Sequence, residues 1–143
     1  MKRRKLLGLC VLVALGCASG PSSKLRSLGA PSGSGPVSFE VDNRTQTIVN
    51  NLYLAESARV KAAGRKAFEA GSPEQVELWG NDLLRSGLEI RGKVPVPISA
   101  PGRYDVRVVA RDGEREQRVT GLRLEAGGRY VLELHEGGWR PIQ

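Results

Sequence analysis

Tyr104-Asp105-Val106-Arg107-Val108-Val109-Ala110-Arg111-Asp112-Gly113 is the stretch that decides the fold. Tyr104, Val106, Val108 and Ala110 fall on one side of an extended backbone, and Asp105, Arg107 and Arg111 on the other. That is the two-residue period of a strand with one buried face. Asp112-Gly113 is a hairpin signal, because a tight two-residue turn needs positive φ at its centre. Residues 114–124 are expected to return as the partner strand, charged at first and then apolar at Val119, Leu122 and Leu124. The carboxylates Asp105, Glu114 and Glu116 alternate with Arg107, Arg111 and Arg118. This pattern reads as cross-strand ion pairing on a wet face rather than as an acid–base pair.

The same period recurs on both sides of this hairpin. Val37, Phe39 and Val41 alternate with polar residues up to Asp42. Residues 48–54 read as a second strand, with Ile48, Leu52 and Leu54 on one face and Val49 and Tyr53 on the other. Val94-Pro95-Val96-Pro97-Ile98 also alternates, but proline cannot donate to a ladder, so this strand belongs at an edge. After Gly127-Gly128, Tyr130, Leu132 and Leu134 should point inward, and residues 139–142 should close the sheet.

The period breaks over residues 57–70. Val60, Ala63, Gly64, Ala67 and Phe68 share one side of a helical wheel, and Arg59, Lys61, Arg65, Lys66 and Glu69 the other. This predicts an amphipathic helix of about four turns ending at Gly71. Ser72-Pro73-Glu74-Gln75 then predicts a second helix start, with Ser as N-cap, Pro at the first position and Gln at the capping-box position. Gly80 ends that helix after Trp79. About seven short strands with frequent turns give a mainly β chain, an antiparallel β-sandwich with a short helical insertion near residues 57–79.

At the N-terminus, Lys2-Arg3-Arg4-Lys5 precedes a ten-residue apolar run, Leu6 to Leu15. The run is about half the length of a membrane-spanning helix, and with the basic start it reads as a signal peptide over residues 1–16. Ala14-Leu15-Gly16-Cys17 resembles the lipobox of bacterial lipoproteins. The resemblance implies that Cys17 carries a diacylglycerol thioether and, on its freed amine, a further acyl chain such as palmitate. Two or more chains anchor stably where one does not. Ala18 follows Cys17 where an Asp would imply inner-membrane retention, so the resemblance implies the outer membrane, facing the periplasm. Residues 17–36 are then the lipidated cysteine and a Gly/Ser/Pro tether without periodicity. As a coil its reach would be about 25 Å, and roughly 65 Å fully extended. One domain over residues 37–143 follows.

Charge and composition narrow the function. The chain has 22 Lys+Arg against 15 Asp+Glu, a net charge of +7, and four of the bases leave with the signal segment. Aromatic residues are 5% of the chain and none is interleaved with basic residues, so no base-stacking platform and no nucleic-acid partner is expected. Cys10 lies in the removed run and Cys17 carries lipid, which leaves no thiol for a disulfide or a Cys–His pair. His135, the single histidine, is expected at the surface, and no ligand cluster supports a metal. No serine sits in a nucleophile elbow. The expectation is a protein that is not an enzyme, with no catalytic residue, no cofactor and no metal.

Two resemblances enter with Leu52-Tyr53-Leu54, Trp79-Gly80-Asn81-Asp82-Leu83-Leu84 and Gly102-Arg103-Tyr104-Asp105-Val106-Arg107. Over roughly residues 37–124 the chain resembles a set of small bacterial secreted β-sandwich proteins with a Trp-Gly-x-Asp-Leu-Leu turn and a Tyr-Asp-x-Arg strand, to which no activity is attached. In layout it is similar to the outer-membrane lipoprotein of type VI secretion systems. That similarity implies a transthyretin- or immunoglobulin-like sandwich whose loops contact an inner-membrane partner without catalysis. Candidate partner-binding residues are the basic helix face, Arg59, Lys61, Arg65 and Lys66, with Trp79 and Asp82. Each has a plainer alternative. A charged helix face is commonly just solvated, and Trp79 and Asp82 could serve core packing and free backbone N–H groups. The function expected is a lipid-anchored envelope protein that binds or positions a protein partner. The alternative is a glycan- or peptidoglycan-binding module, against which the scarcity of aromatics counts.

Overall fold

The computed structural model describes residues 20–143, so the expectations for the signal segment and for Cys17 lie outside the described residues. Among these the chain forms eight strands: β1 (Lys24–Ser27), β2 (Ser38–Asn43), β3 (Val49–Glu56), β4 (Lys93–Pro95), β5 (Gly102–Ala110), β6 (Arg115–Leu124), β7 (Arg129–Leu134) and β8 (Arg140–Pro141). Two short helices, α1 (Ser57–Ala63) and α2 (Pro73–Trp79), lie between β3 and β4. The strands make two four-stranded sheets, ordered β1-β7-β2-β4 and β3-β5-β6-β8. Their facing sides share one apolar core. Phe39, Val41, Tyr130, Leu132 and Leu134 come from the first sheet, and Val49, Leu52, Val106, Val108, Leu122 and Leu124 from the second.

The central hairpin forms as the alternation predicts. Tyr104, Val106, Val108 and Ala110 are all buried. The turn closes through the Asp112 carboxylate, which accepts from the N–H of Glu114 at 2.8 Å and of Arg115 at 3.2 Å. The proline-bearing strand β4 sits at an edge, paired only with β2. In β3 the expected split of faces holds for Leu52 and Leu54 against Tyr53 and fails at Val49. Val49 and Leu52 are both fully buried in the same core, because the register shifts between Val49 and Asn51 and Asn50 bulges out to solvent.

One pairing is not antiparallel. β6 runs to the end of its sheet, the chain crosses over at Gly127-Gly128, and β7 starts beside the start of β2 and runs parallel to it. Periodicity predicts strands but not their direction, so the antiparallel expectation fails here.

A larger departure concerns residues 18–36. The expected free coil does not hold at Lys24–Ser27, which ladder along β7 as an eighth strand. Leu25 packs against the core, and Lys24 and Arg26 reach the buried Glu133 carboxylate at 3.9 and 3.2 Å. The following residues dock as well. Gly33 N–H donates to the Ala126 carbonyl and Gly127 N–H to that of Gly35. Gly127 is required there: its φ is +70°, and a Cβ would collide with Ser32 and Ser34.

The helical insertion covers the outer face of the second sheet. Instead of one helix over 57–70, α1 stops at Ala63, Gly64 turns out at φ +58°, and residues 64–68 continue as a 3₁₀ turn. The apolar positions still reach the sheet. Val60 and Ala67 are buried, and Ala63 and Phe68 pack beside Ala55, Leu78 and Trp79. α2 begins as predicted, with Ser72 Oγ accepting from Gln75 N–H at 3.1 Å. The reciprocal bond goes one residue earlier, Gly71 N–H to Gln75 Oε1.

Candidate functional site

Trp79 and Asp82 turn out to be committed to the fold. Trp79 is buried and its Nε1–H donates to the Ala67 carbonyl at 2.8 Å, which ties α2 to the 3₁₀ turn. Its ring lies 5.9 Å from that of Phe68. Asp82 works at the edge of β3 away from β5, where no further strand pairs among the described residues. Its Oδ1 accepts from Leu52 N–H at 2.9 Å and from Leu84 N–H at 3.0 Å, and its Oδ2 from Asn51 Nδ2 at 2.9 Å. Leu83 N–H reaches the Leu52 carbonyl. The segment after Trp79 therefore closes a sheet edge that would otherwise expose unpaired backbone.

The four basic residues of the helix face are all exposed, but they do not converge. Lys66 pairs with Glu74 at 3.3 Å. Arg59 borders a small depression that also holds Glu74 and Glu77. Arg65 shares one of about 460 Å³ with Phe68, Glu69, Arg118 and Gln143. Lys61 lines a larger one, about 600 Å³, with Glu56, Ser57, Arg103 and Tyr104. Each depression mixes both signs, and none presents the basic face as a unit.

Of the alternating charges of the central hairpin, Glu116 pairs with Arg107 and Arg118, and it does so away from any wet face. Glu116 is fully buried. It accepts from Arg107 Nε and Arg118 Nε, each at 2.7 Å. Arg107 lies over the Tyr53 ring at 5.7 Å and Arg118 over Phe68 at 3.6 Å. Asp105 is buried too, accepting from Ser57 Oγ at 2.6 Å and Gly121 N–H at 2.9 Å. The helical insertion excludes water from these groups, and that is where the wet-face expectation fails. Glu114 and Arg111 remain exposed near the turn.

A second charged cluster was not legible in the sequence. On the outer face of the first sheet, Asp42 and Glu133 are buried beneath Arg44, which bonds Asp42 Oδ2 at 2.8 Å and lies 3.7 Å from Glu133. Burial pushes the Glu133 carboxyl up. The Arg26 hydrogen bond and the charges of Arg26 and Arg44 outweigh it, and hold it below the usual carboxylate range. The hydrogen bond and charge of Asp42 raise Arg44 in turn. His135 is not the surface residue expected: its side chain is 18% exposed and its Nε2 lies 3.6 Å from Glu133 Oε1. Beside this cluster, Arg44, Arg91 and Lys93 border a depression of about 480 Å³ with Asp42 and Ile90. It can attract an anionic group by charge. It contains no nucleophile–base pair.

Among the described residues no three His, Cys, Asp or Glu side chains are grouped as metal ligands. No family model, curated protein or solved structure matches the chain.

Proposed function

We propose that this protein is a non-catalytic lipoprotein of the bacterial envelope, anchored through Cys17, whose two-sheet domain positions a protein partner near the membrane. The observation that carries this reading is the sequence of a basic start, a short apolar run and Ala14-Leu15-Gly16-Cys17 directly ahead of a domain that folds from residue 21 onward. The polar side chains of its densest motifs are consumed internally: Trp79 by Ala67, Asp82 by β3, Glu116 by two arginines. That is the economy of a scaffold. An anchor raises the effective concentration of such a scaffold for any membrane-bound partner.

The finer version is a transthyretin- or immunoglobulin-like sandwich acting as a type VI secretion-like outer-membrane lipoprotein. The order of Leu52-Tyr53-Leu54, the helical excursion and Gly80-x-Asp82-Leu83-Leu84 supports it. Cys17→Ser is expected to abolish palmitate incorporation and to shift the protein from the membrane to the soluble fraction. A variant that stays labelled and membrane-bound overturns the anchor. In-cell crosslinking with mass spectrometry should recover inner-membrane secretion components. Co-sedimentation with peptidoglycan instead would replace the protein partner with a glycan.

A further inference from the structure

The chain is bonded to the fold from Pro21 onward. Gly137 N–H donates to the Pro21 carbonyl at 3.1 Å. His135 N–H donates to Ser23 Oγ at 2.9 Å, and that hydroxyl bonds Gln117 Oε1. Gly20 and Gly137 approach so closely that a Cβ on either would strike the other's backbone. β1 follows at once. Between Cys17 and the Pro21 junction there is room for only about 14 Å of extended chain, against roughly 65 Å had residues 18–36 been free.

The junction also fixes an orientation. It lies at the end of the sheets where β2, β5 and β7 finish and β3 and β6 begin. The loops there are bonded to one another. Gln46 N–H reaches the Glu136 carboxylate, and Ile142 N–H donates to the Glu114 carbonyl. Arg115 reaches Thr47 Oγ1 at 3.3 Å and lies over the Trp139 ring at 5.6 Å. This end exposes Arg44, Arg111 and Arg140 together with Asp112 and Glu114. The other end, with Lys61, Ser99 and Arg103, lies about 27 Å away along β5.

Resting on the lipid anchor proposed above, we infer that the domain is seated on the lipid headgroups by the end that bears Gly137, not suspended from them. The contacting surface is the loop cluster around residues 44–47, 111–114 and 136–140. Arg111 and Arg140 there fit the phosphates of anionic headgroups, which planar, multiply donating side chains bind well, while Arg44 stays with Asp42 and Glu133 and the exposed Asp112 and Glu114 border the contact. Lys61 and Arg103 then face away from the bilayer, which makes that end the one available to a partner.

The test uses the full-length lipidated protein reconstituted in phosphatidylethanolamine–phosphatidylglycerol vesicles that contain a headgroup-nitroxide lipid. Single cysteines carry an environment-sensitive fluorophore at Gln46→Cys or Glu114→Cys on the near end, and at Lys61→Cys or Ser99→Cys on the far end. Quenching should be several-fold stronger at the near end. A Gly-Ser insertion as long as residues 18–36, placed before Gly20, should erase the difference while the protein stays bound. Equal quenching at both ends of a lipidated, vesicle-bound protein overturns the seating and leaves the anchor intact. Failure to incorporate lipid at Cys17 overturns both.

Discussion

The outer faces of the two sheets solve one electrostatic problem in different ways. Each buries a carboxylate against arginines. On the second sheet, Glu116 is sealed between Arg107 and Arg118, whose side chains are only 11% and 18% exposed, and Phe68 of the helical insertion stacks on Arg118. On the first sheet, Glu133 is also buried, but its partners Arg26 and Arg44 are 53% and 50% exposed. Among the described residues no helix covers that side. Water can therefore stand in for a lost partner of Glu133, but not for one of Glu116. The difference between the faces lies in what is stacked above the strands rather than in the strands' own sequences.

Removing the Glu116 carboxylate is the hardest way to break the comparison. Glu116→Ala leaves two guanidinium groups under the helical layer without a counter-charge, and losing one partner of a buried pair costs about 3–5 kcal/mol. Urea denaturation should show a midpoint lowered accordingly. A loss below about 1 kcal/mol, the size seen for exposed pairs, would mean that water reaches the site and the two faces are alike.

Arg118→Ala comes next. It removes one of two donors to Glu116 and the cation stacked on Phe68. Arg107 remains to hold the carboxylate, so the expected loss is about 2 kcal/mol. Arg118→Lys should fall between that variant and the wild type, because the charge survives while the planar stack does not. If Arg118→Lys is as damaging as Arg118→Ala, stacking on Phe68 outweighs the ion pair.

Much of this contrast could not be read from the chain. The hairpin of β5 and β6 was legible, because alternation and Asp112-Gly113 are local signals. So were the proline-bearing edge strand and the Ser72 cap. The burial of Glu116 was not, because it depends on residues 57–79 folding back over a strand some forty positions later. β1 was missed for a related reason. Ser23-Lys24-Leu25-Arg26-Ser27 has one apolar residue, and its strand character comes from an open edge of β7 more than a hundred residues away. Lys24 and Arg26 fall within the expected tether, whereas both answer Glu133. At the candidate site, the sequence marked Trp79 and Asp82 as exceptional, and they are. Their exceptional property is internal bonding, which periodicity cannot separate from a waiting surface.

The gentlest perturbation sits on the open face. Glu133→Gln keeps shape and burial but removes the charge that Arg26 and Arg44 answer. With both arginines half in water, the loss near neutral pH should stay under about 1 kcal/mol. Its pH dependence carries the more specific information. The folded-state carboxyl of Glu133 lies below the ordinary glutamate value of 4.5. The unfolded chain therefore takes up its proton first as pH falls. The stabilisation is complete above 4.5 and is lost as pH drops from there through the lower, folded value. Wild type and Glu133→Gln should differ in unfolding free energy at pH 7 and converge toward pH 3. A gap that persists unchanged in acid would assign the effect to shape rather than charge, and Glu133 would then be tied to its face by packing alone.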